Sequence, residues 1–432
     1  MQRVFFLLAI CLLPLLSIAK PPNIVFIISD DQTWTDYSFM GHKHIQTPNI
    51  DKLAAESLTF THGYVPSSLC CPSLATMITG LYPHQSKITG NEPPVPPGGK
   101  RTPIYRKGVE ELVALIDDVP TLPRLLKAKG YRSHQSGKWW HGSYKRGGFT
   151  HGMTHGDPAR GGRHGDEGLK IGREGLEPIF DFIKESGDKP FFLWYAPFLP
   201  HTPHTPPQRL FDKYKTKTDS PFIAKYWAMC EWFDETVGDL VKHIDDKAPD
   251  TLIIYVTDNG WIQSPKSRGY DLKSKRSQYD GGTRTPLMLR WPGKIKPAKS
   301  TIPVSSIDMA PTALLAAGLK PTKAMRGLNL LDAKAVQARK FIYGEIFLHN
   351  AVDLHQPIKN ITYRWGIKDG WKVILPHALN VRTRAGKGAR GNGEVELYHL
   401  AKDSFETKNL ANENIERIAE LRELVNEAWH VK

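Results

Sequence analysis

Buried-strand patterns alternate with helical patterns along most of this sequence, and this alternation restricts the fold more than any other feature. The segments Asn23–Ser29 and Thr251–Val256 are continuous runs rich in β-branched residues, as expected of strands covered on both faces. Helical patterns follow such strands, among them Leu176–Glu185 and Ile223–Ile244. Repeated βα units favour a largely parallel central sheet with helices on both faces. The sequence therefore predicts an α/β fold.

The pattern changes after about residue 340, where short strands replace the βα units. Strands are expected at Tyr363–Lys368, Trp371–Leu375 and Glu396–Leu400, followed by a helix from Ile415 onward. This order predicts a small antiparallel sheet packed with one helix beside the main domain. We therefore place the main domain at residues 20–338 and a smaller C-terminal α+β subdomain at residues 339–432.

The first 19 residues have the pattern of a secretory signal peptide. A basic start precedes an apolar run from Val4 to Ile18, which is short for a membrane span, and the small residue Ala19 ends it. A retained membrane anchor is the alternative, and the large Ile10 argues against a lipid attached at Cys11. No later apolar stretch is long enough to cross a membrane. We therefore expect an exported protein, periplasmic or secreted, without stable membrane insertion.

Charge and loop composition indicate an anionic partner. The formal net charge is +14, which favours nucleic acid, an acidic surface or a polyanionic glycan. The basic residues are scattered and form neither a zinc-finger nor a recognition-helix pattern, so nucleic acid is not the expected partner. Residues 142–175 are rich in glycine, histidine and arginine and are expected to form long loops, which often carry recognition. A sulfated or carboxylated glycan fits these features.

Beyond the predicted signal peptide only three cysteines remain: Cys70, Cys71 and Cys230. An exported protein stabilised by disulfides normally carries more cysteines, in even number, and adjacent cysteines bridge each other only with strain. Cys230 lies in a helical pattern and is expected to be a small buried residue. The adjacent pair therefore requires another explanation.

Two of the buried strands end in acidic and amide side chains. Asp30 and Asp31 follow the first strand, and Asp258 and Asn259 follow the strand at 251–256. In open α/β sheets, sites form beyond the carboxyl ends of the strands, so these groups can converge although they are distant in sequence. Three carboxylates in one place need a cation, and their hard oxygens suit Ca²⁺ or Mg²⁺. The alternative is that each pair only caps a helix or a turn.

The segment from Cys70 to Gly80, CCPSLATMITG, and the LYPH that follows it closely resemble the signature of the formylglycine-dependent sulfatases. That signature reads cysteine–any–proline–serine–arginine, with threonine–glycine closing the helix. The resemblance implies an alkaline-phosphatase-like fold, in which a mixed, mostly parallel central sheet is flanked by helices. It also implies hydrolysis of sulfate esters, and oxidation of Cys70 to 3-oxoalanine (formylglycine) by a formylglycine-generating or sulfatase-maturing enzyme. One hydroxyl of the hydrated aldehyde would attack sulfur, and the other would later expel sulfate. A neighbouring divalent cation would help the attacking hydroxyl to lose its proton, and a helix N-terminus would offer N–H groups to an anion.

The resemblance extends over nearly the whole mature chain and can be carried over residue by residue. Lys138 matches a lysine that contacts the sulfate, and Lys275 matches a lysine that precedes an acidic–glycine–glycine turn. His201 matches a histidine that faces the leaving group and would protonate the departing sugar oxygen. The metal ligands that the resemblance implies are Asp30, Asp31, Cys70, Asp258 and Asn259.

Two positions depart from the family pattern. Leu74 stands where the signature has arginine, and a leucine side chain can neither form hydrogen bonds nor carry charge. The change bears both on the modification of Cys70 and on one contact in the pocket. The family often has histidine two residues after the lysine, whereas this chain has Trp140 there. His141, one place later, is the candidate for the base that collapses the sulfated intermediate.

The expected activity is hydrolysis of a sulfate ester on a sulfated polysaccharide or a glycosaminoglycan-type sugar. Two alternatives remain open. A phosphate or phosphonate ester hydrolase would share the sheet of the same superfamily, and in some members the cysteine as well. A non-catalytic glycan-binding homologue is the other alternative, because Leu74 replaces the arginine of the signature.

Overall fold

The computed structural model of the chain describes residues 20–160, 162–377, 380–381 and 390–431, so the predicted signal peptide at residues 1–19 lies outside the described residues. The strands of the main sheet are β1 (Asn23–Ser29), β2 (Leu58–Tyr64), β3 (Arg132–Gly137), β4 (His151–Gly152), β5 (Phe191–Ala196), β6 (Thr251–Thr257), β7 (Arg284–Arg290), β8 (Ala298–Ser300) and β9 (Val304–Ser305). The strands of a second, smaller sheet are β10 (Ile342–Phe347), β11 (Ile361–Lys368), β12 (Trp371–Pro376) and β13 (Glu396–His399).

Helices connect the strands of the main sheet, and a final helix follows the smaller sheet. Their bounds are α1 (Pro48–Ala55), α2 (Cys70–Thr79), α3 (Pro83–Ser86), α4 (Pro103–Ala114), α5 (Leu122–Leu126), α6 (Glu177–Ser186), α7 (Gln208–Tyr214), α8 (Pro221–Lys247), α9 (Asp280–Thr283), α10 (Met309–Ala316), α11 (Ala333–Ala338) and, at the C-terminal end, α12 (Ile415–Ala428). Residues 142–175 form a long connection, as expected, and short 3₁₀ turns occupy parts of it.

The main sheet is mixed and mostly parallel, which confirms the fold class expected from the βα alternation. Its strand order is β4-β3-β5-β1-β6-β7-β2-β8, and β9 also pairs with β2. Strand β7 is antiparallel to both of its neighbours, β6 and β2, while the other pairs of the sheet are parallel. Because β7 is antiparallel to both β6 and β2, these two strands run in the same direction.

Both faces of the central strand β1 are covered, which explains why its sequence is apolar without alternation. Ile24, Phe26 and Ile28 pack into the core on one face of the sheet. Val25 and Ile27 pack into a separate core on the other face. Because successive side chains of a strand point to opposite faces, both sets must be apolar when helices cover both faces.

The smaller sheet is antiparallel, in the order β10-β11-β12-β13, and α12 packs against it. The three strands and the helix expected in this region are confirmed. Strand β10, Ile342–Phe347, was not anticipated from the sequence. The boundary drawn between residues 338 and 339 stays a prediction. Within the described residues, no helix combines the length and apolar character needed to cross a bilayer.

Candidate active site

Four neighbouring parallel strands, β3, β5, β1 and β6, end at the same edge of the main sheet. Lys138 follows β3, His201 lies shortly after β5, Asp30 follows β1 and Asp258 follows β6. The parallel pairing of β1 with β5 extends past the ends of both strands. The N–H of Asp30, after β1, donates to the carbonyl of Leu199, after β5, at 2.9 Å. Residues far apart in sequence therefore meet at this edge, as is typical of ligand sites in open α/β sheets.

Cys70 is the first residue of α2. Its side chain is 1% exposed. The Sγ atom lies 3.4 Å from Nζ of Lys138 and 3.4 Å from Oδ1 of Asn259. Cys70 is therefore enclosed by groups from the ends of β3 and β6, at the N-terminus of a ten-residue helix.

Asp31 connects several polar groups of this edge. Its Oδ1 accepts hydrogen bonds from Nζ of Lys275 at 2.5 Å and from the side-chain amide of Asn259 at 2.6 Å. Its own N–H donates to Oδ1 of Asp258 at 3.0 Å. The backbone of Asp31 has φ of 65°, a left-handed conformation that non-glycine residues seldom adopt. Such residues often occur at functional sites, where surrounding contacts offset the strain.

The acidic groups fit a hard divalent cation. One ligand atom from each of Asp30, Asp31, Cys70 and His201 lies within 4.8 Å of the others. Oδ2 of Asp258 is buried and has no hydrogen-bond partner among the described residues. An unpartnered buried carboxylate oxygen is costly unless a cation compensates it, and such oxygens are the ligands that Ca²⁺ and Mg²⁺ prefer. The sequence-based ligand set did not include His201.

Lys138 and Lys275 are buried and paired with carboxylates, so they are not solvated surface charges. Lys138 is 2% exposed, and its Nζ lies 2.8 Å from both carboxylate oxygens of Asp30. Burial alone would lower the pKa of Lys138 and Lys275, but the facing carboxylates, Asp30 and Asp31 respectively, outweigh it and raise both pKa values. Both side chains therefore remain cationic and can bind an anion.

The backbone before Lys138 has a conformation that requires glycine. Gly137 has φ of 85°, and a Cβ atom there would lie 1.8 Å from the carbonyl oxygen of Ala196. The same carbonyl accepts the N–H of Lys138 at 2.7 Å. The close approach of β3 and β5 at this point directs Lys138 into the site.

His201 lies beside Asp31 with its ring held on two sides. The ring stacks on Phe198 with 4.4 Å between centroids, and Nδ1 donates to the carbonyl of Thr202 at 2.5 Å. This bond leaves Nε2 directed at the site, 3.2 Å from Oδ2 of Asp31 and 3.4 Å from Nζ of Lys275. Burial, followed by the charge of Lys138, lowers the pKa of His201 well below its ordinary value.

The structure does not bring His141 to this group. Among the described residues, no hydrogen bond, ion pair or ring contact joins His141 to Cys70, Lys138 or the acidic side chains. His141 is buried against Trp139 at 5.1 Å between centroids, and both of its ring nitrogens lack hydrogen-bond partners. Trp140, between Lys138 and His141, has φ of 75°, so the chain turns away after the lysine.

Leu74 and Cys71 are both buried in the interior of the protein. Leu74 is 2% exposed and belongs to the apolar core on one face of the sheet. Cys71 is buried, and its N–H donates to Oδ1 of Asn91 at 2.9 Å. Cys70, Cys71 and Cys230 are all free and buried, which confirms that these cysteines form no disulfide among the described residues.

Two residues near the site were not singled out from the sequence. His164 contacts Trp140, and burial together with the charge of Lys138 lowers its pKa to about 4. Arg163 stacks over Trp140 with its guanidinium carbon 5.0 Å from the ring centroid. Both lie in the loop at 142–175, whose histidine and arginine content was the available signal, but composition alone does not show which members face the site.

The fold and this cluster define a class of hydrolase related to the alkaline phosphatases, and comparison with known families makes the class specific. Residues 22–319 match the Sulfatase family model, and residues 269–429 match the model of the N-sulphoglucosamine sulphohydrolase C-terminal region. The chain belongs to the sulfatase family.

The chain is similar to N-acetylgalactosamine-6-sulfatase of Homo sapiens, with 30% identity over 364 residues that cover 72% of this chain and 65% of that protein. The chain thus spans just under two thirds of the length of this relative. It is 26% identical to N-acetylgalactosamine-6-O-sulfatase of Bacteroides thetaiotaomicron, over 94% of this chain and 93% of that one. The crystal structure of Ps i-CgsB shares the fold, with a TM-score of 0.73 and 24% identity, covering 96% of this chain and 94% of the other.

Proposed function

We propose that this protein hydrolyses sulfate esters of a sulfated carbohydrate, with Cys70 as the residue that becomes the nucleophile after oxidation to formylglycine. The observation that carries the proposal is the position of Cys70, enclosed at the N-terminus of α2 between Lys138 and Asn259. Family membership supports the same reaction. When formed, the hydrated aldehyde would supply the attacking hydroxyl, and a bound divalent cation, Ca²⁺ or Mg²⁺, would assist its deprotonation.

The unmodified thiol is poorly suited to the chemistry. Burial raises the pKa of Cys70 to about 12, so the thiol stays protonated at neutral pH and is not a thiolate nucleophile. A buried residue at the centre of a polar cluster, yet unreactive as it stands, is consistent with a side chain that acts only after modification. The maturing enzyme would act before the chain folds around α2, because Cys70 is 1% exposed in the folded protein.

Lys138 and Lys275 are the residues that would bind the sulfate group. Both are cationic, and both lie within hydrogen-bond distance of carboxylates at the edge of the sheet. Cations placed where charge develops stabilise the transition state without reorganisation. The N–H groups of the first turn of α2 add an electropositive surface on the side of Cys70.

His201 would protonate the oxygen that leaves with the sugar. Its Nε2 is the ring nitrogen that remains directed at the site, because Nδ1 donates to the carbonyl of Thr202. The pKa of His201 is lowered by burial and by Lys138 in the free protein. A bound anionic ester would oppose the effect of the lysines and raise the pKa of the ring, so that Nε2 can hold the proton that it gives to the departing oxygen.

A sulfated polysaccharide or glycosaminoglycan-type sugar is the proposed substrate class. The relatives named for N-acetylgalactosamine 6-sulfate and the net charge of +14 both support an anionic carbohydrate. Export through the signal peptide at residues 1–19 fits such a substrate and is part of the proposal. A formylglycine-generating or sulfatase-maturing enzyme is the proposed partner for activation.

The nucleophile can be tested with the two adjacent cysteines, each of which serves as the other's control. Cys70→Ala should abolish turnover of a sulfated sugar, whereas Cys71→Ala should leave most of it. In the wild-type protein, the tryptic peptide that contains Cys70 should be lighter by about 18 Da, because one oxygen replaces sulfur and two hydrogens. Full activity of Cys70→Ala would overturn the assignment.

Competing rates on sulfate and phosphate esters of one alcohol test the reaction class. We expect the sulfate ester to react faster in the same preparation. A phosphate ester that reacts faster would favour the related phosphate or phosphonate ester hydrolase. An unmodified, inactive Cys70 in protein produced with a maturing enzyme would favour a glycan-binding role.

A further inference from the structure

A cavity of about 730 Å³ lies beside the site and has no role in the reaction described above. It is formed by the loop at 142–175 together with α4 and the segment before α4. The lining residues that matter here are Glu92, Lys100, Tyr105, Trp140, Arg163 and His164. The cavity is open to solvent and large enough for a sugar residue.

The wall of this cavity is continuous with the active site. Nζ of Lys138 lies 5.9 Å from the ring centroid of Trp140, which lines the cavity. Asn91 makes the second connection: its Oδ1 accepts the N–H of Cys71, and its carbonyl accepts Nη2 of Arg163 at 2.5 Å. A group bound against Trp140 and Arg163 would therefore sit next to the residues that hold the reacting sulfate.

Two buried N–H donors on this wall lack acceptors. Nη1 of Arg163 and Nε1 of Trp140 have no hydrogen-bond partner among the described residues, although both atoms are buried. Leaving a buried donor unsatisfied is costly, and more so for a charged group. Trp140 also has φ of 75°, a strained conformation for a bulky side chain. Because both atoms are screened from solvent, an oxyanion in the cavity would bond to them only after the side chains shift on binding.

The charges around Arg163 leave it able to bind an anion. Glu92 is its only carboxylate partner among the described residues, at 2.8 Å, and Glu92 is also paired with Lys100 at 3.4 Å. One carboxylate thus faces two cations. Of the other charged residues that line the cavity, Arg146 is paired with Asp117 and Glu110 is exposed.

We propose that this cavity is a second binding subsite, which takes an oxyanion on the sugar next to the one that bears the reacting sulfate. The oxyanion can be a sulfate or the carboxylate of a uronic acid, because both accept charge-assisted hydrogen bonds from guanidinium. Arg163 is the specificity-determining residue of the subsite, with Trp140 as a second donor. The inference rests on the proposed function and narrows its substrate class to oligosaccharides with anionic groups on adjacent sugars.

The test compares three disaccharides that carry the same reacting sulfate. The neighbouring sugar is neutral in the first, sulfated in the second and a uronic acid in the third. For the wild-type protein, we expect kcat/KM to be about tenfold higher or more for at least one anionic neighbour, the gain typical of a charge-assisted hydrogen bond. The disaccharide with the larger increase in kcat/KM shows whether the subsite binds a sulfate or a uronic acid carboxylate.

The matched variants are Arg163→Gln and Arg160→Gln. Arg160 lies in the same loop but is exposed and does not line the cavity. Arg163→Gln should reduce the preference ratio to near one, and Arg160→Gln should leave it unchanged. Because the ratio is taken within one preparation, a partial loss of formylglycine cancels.

Three outcomes are decisive. Equal kcat/KM for all three disaccharides in the wild-type protein overturns the subsite and needs no variant, so it holds even if Arg163→Gln fails to fold. A preference that survives in Arg163→Gln also overturns the assignment. Absence of turnover on every sulfate ester in protein with modified Cys70 would instead contradict the proposed function itself.

Discussion

At the scale of single residues, the site depends on contacts that Asp31 makes with three other side chains. Lys275 and Asn259 donate to its Oδ1, and His201 lies 3.2 Å from its Oδ2. Burial alone would raise the pKa of Asp31, but the charges of Lys275 and Lys138 lower it below its ordinary value. Asp31 therefore stays ionised and orients residues from two separate loops, 197–207 and 258–279.

The role of His201 can be separated from simple anion binding. A sugar alkoxide is a poor leaving group and needs a proton, whereas an aryl oxide leaves largely unassisted. His201→Ala should therefore slow hydrolysis of a sulfated sugar by ~10²–10⁴-fold and slow an activated aryl sulfate much less. Lys138→Ala should reduce both rates alike, because Lys138 acts on the sulfate. Equal losses for His201→Ala on both substrates would make it a sulfate-binding residue, with His204 as the next candidate acid.

Two aspartates that flank β6, one at each end, test whether turnover depends on a cation. Asp258 follows β6 at the site, whereas Asp250 precedes β6 at the opposite end and is exposed. Asp258→Ala, or removal of metal with a chelator, should abolish turnover with little change in Tm. Asp250→Ala should retain activity and its response to Ca²⁺. Full turnover in a demonstrably metal-free sample would contradict cation assistance.

At the scale of elements, the long helix α8 positions α1 through one buried carboxylate. Asp234 accepts the N–H of Ile50 at 2.7 Å and both the N–H and the side-chain amide of Asn49. These are groups at the N-terminus of α1, where backbone N–H groups lack partners within the helix. Burial nevertheless raises the pKa of Asp234 to about 7.

This raised pKa predicts how stability depends on pH. Between pH 4 and 7 the folded protein holds a proton on Asp234 that the unfolded chain has released, so rising pH lowers this residue's contribution to the free energy of unfolding. Asp234→Asn removes the titration. Relative to wild type, the variant should gain stability as pH rises, by up to about 1.4 kcal/mol per pH unit. Thermal unfolding of both proteins at pH 4.5 and 7.5 measures the change, and a constant difference in Tm would contradict it.

At the scale of the whole molecule, a buried charged cluster joins the smaller sheet to the active-site loops. Nζ of Lys372, on β12, lies 2.8 Å from carboxylate oxygens of both Asp280 and Glu406. Asp280 is the first residue of the short helix α9. The carbonyl of Gly282 in this helix accepts the N–H of Gly260, the residue after Asn259. The C-terminal region is thus linked to the loop that carries Asp258 and Asn259.

Removal of the buried cation should destabilise the protein strongly. Lys372→Met removes the cation that pairs with Glu406 and Asp280 and leaves Asp280 only the more distant Arg284, at 3.8 Å, so it should lower the free energy of unfolding by about 3–5 kcal/mol. Lys368→Met is the matched control, because Lys368 pairs with Glu420 at a partly exposed position and should cost about 0–1 kcal/mol. Denaturant unfolding gives both values, and equal costs would contradict the structural role of the cluster.

Much of the site could be predicted because it follows directly from strand ends and from one helix start. Asp30 and Asp258 come immediately after buried strands, and Cys70 begins a helix with a recognisable sequence. The prediction was less successful for His141. Sequence proximity to Lys138 suggested that it would share the site, but the left-handed backbone of Trp140 turns the chain so that His141 packs against Trp139.

The buried strands β1 and β6, the α/β fold class and the family could be predicted from the sequence alone, and the same contiguous motif singled out Cys70, because these features depend on local periodicity and on neighbouring residues. The close contact of His201 with the acidic group, and the cavity that Arg163 and Trp140 line beside it, became visible in the folded chain alone. Lys275 and Asp31, which bond directly, are 244 residues apart in sequence. Contacts over such distances depend on how the loops of neighbouring parallel strands fold over one edge of the sheet, and neither periodicity nor spacing encodes the direction of a side chain in those loops.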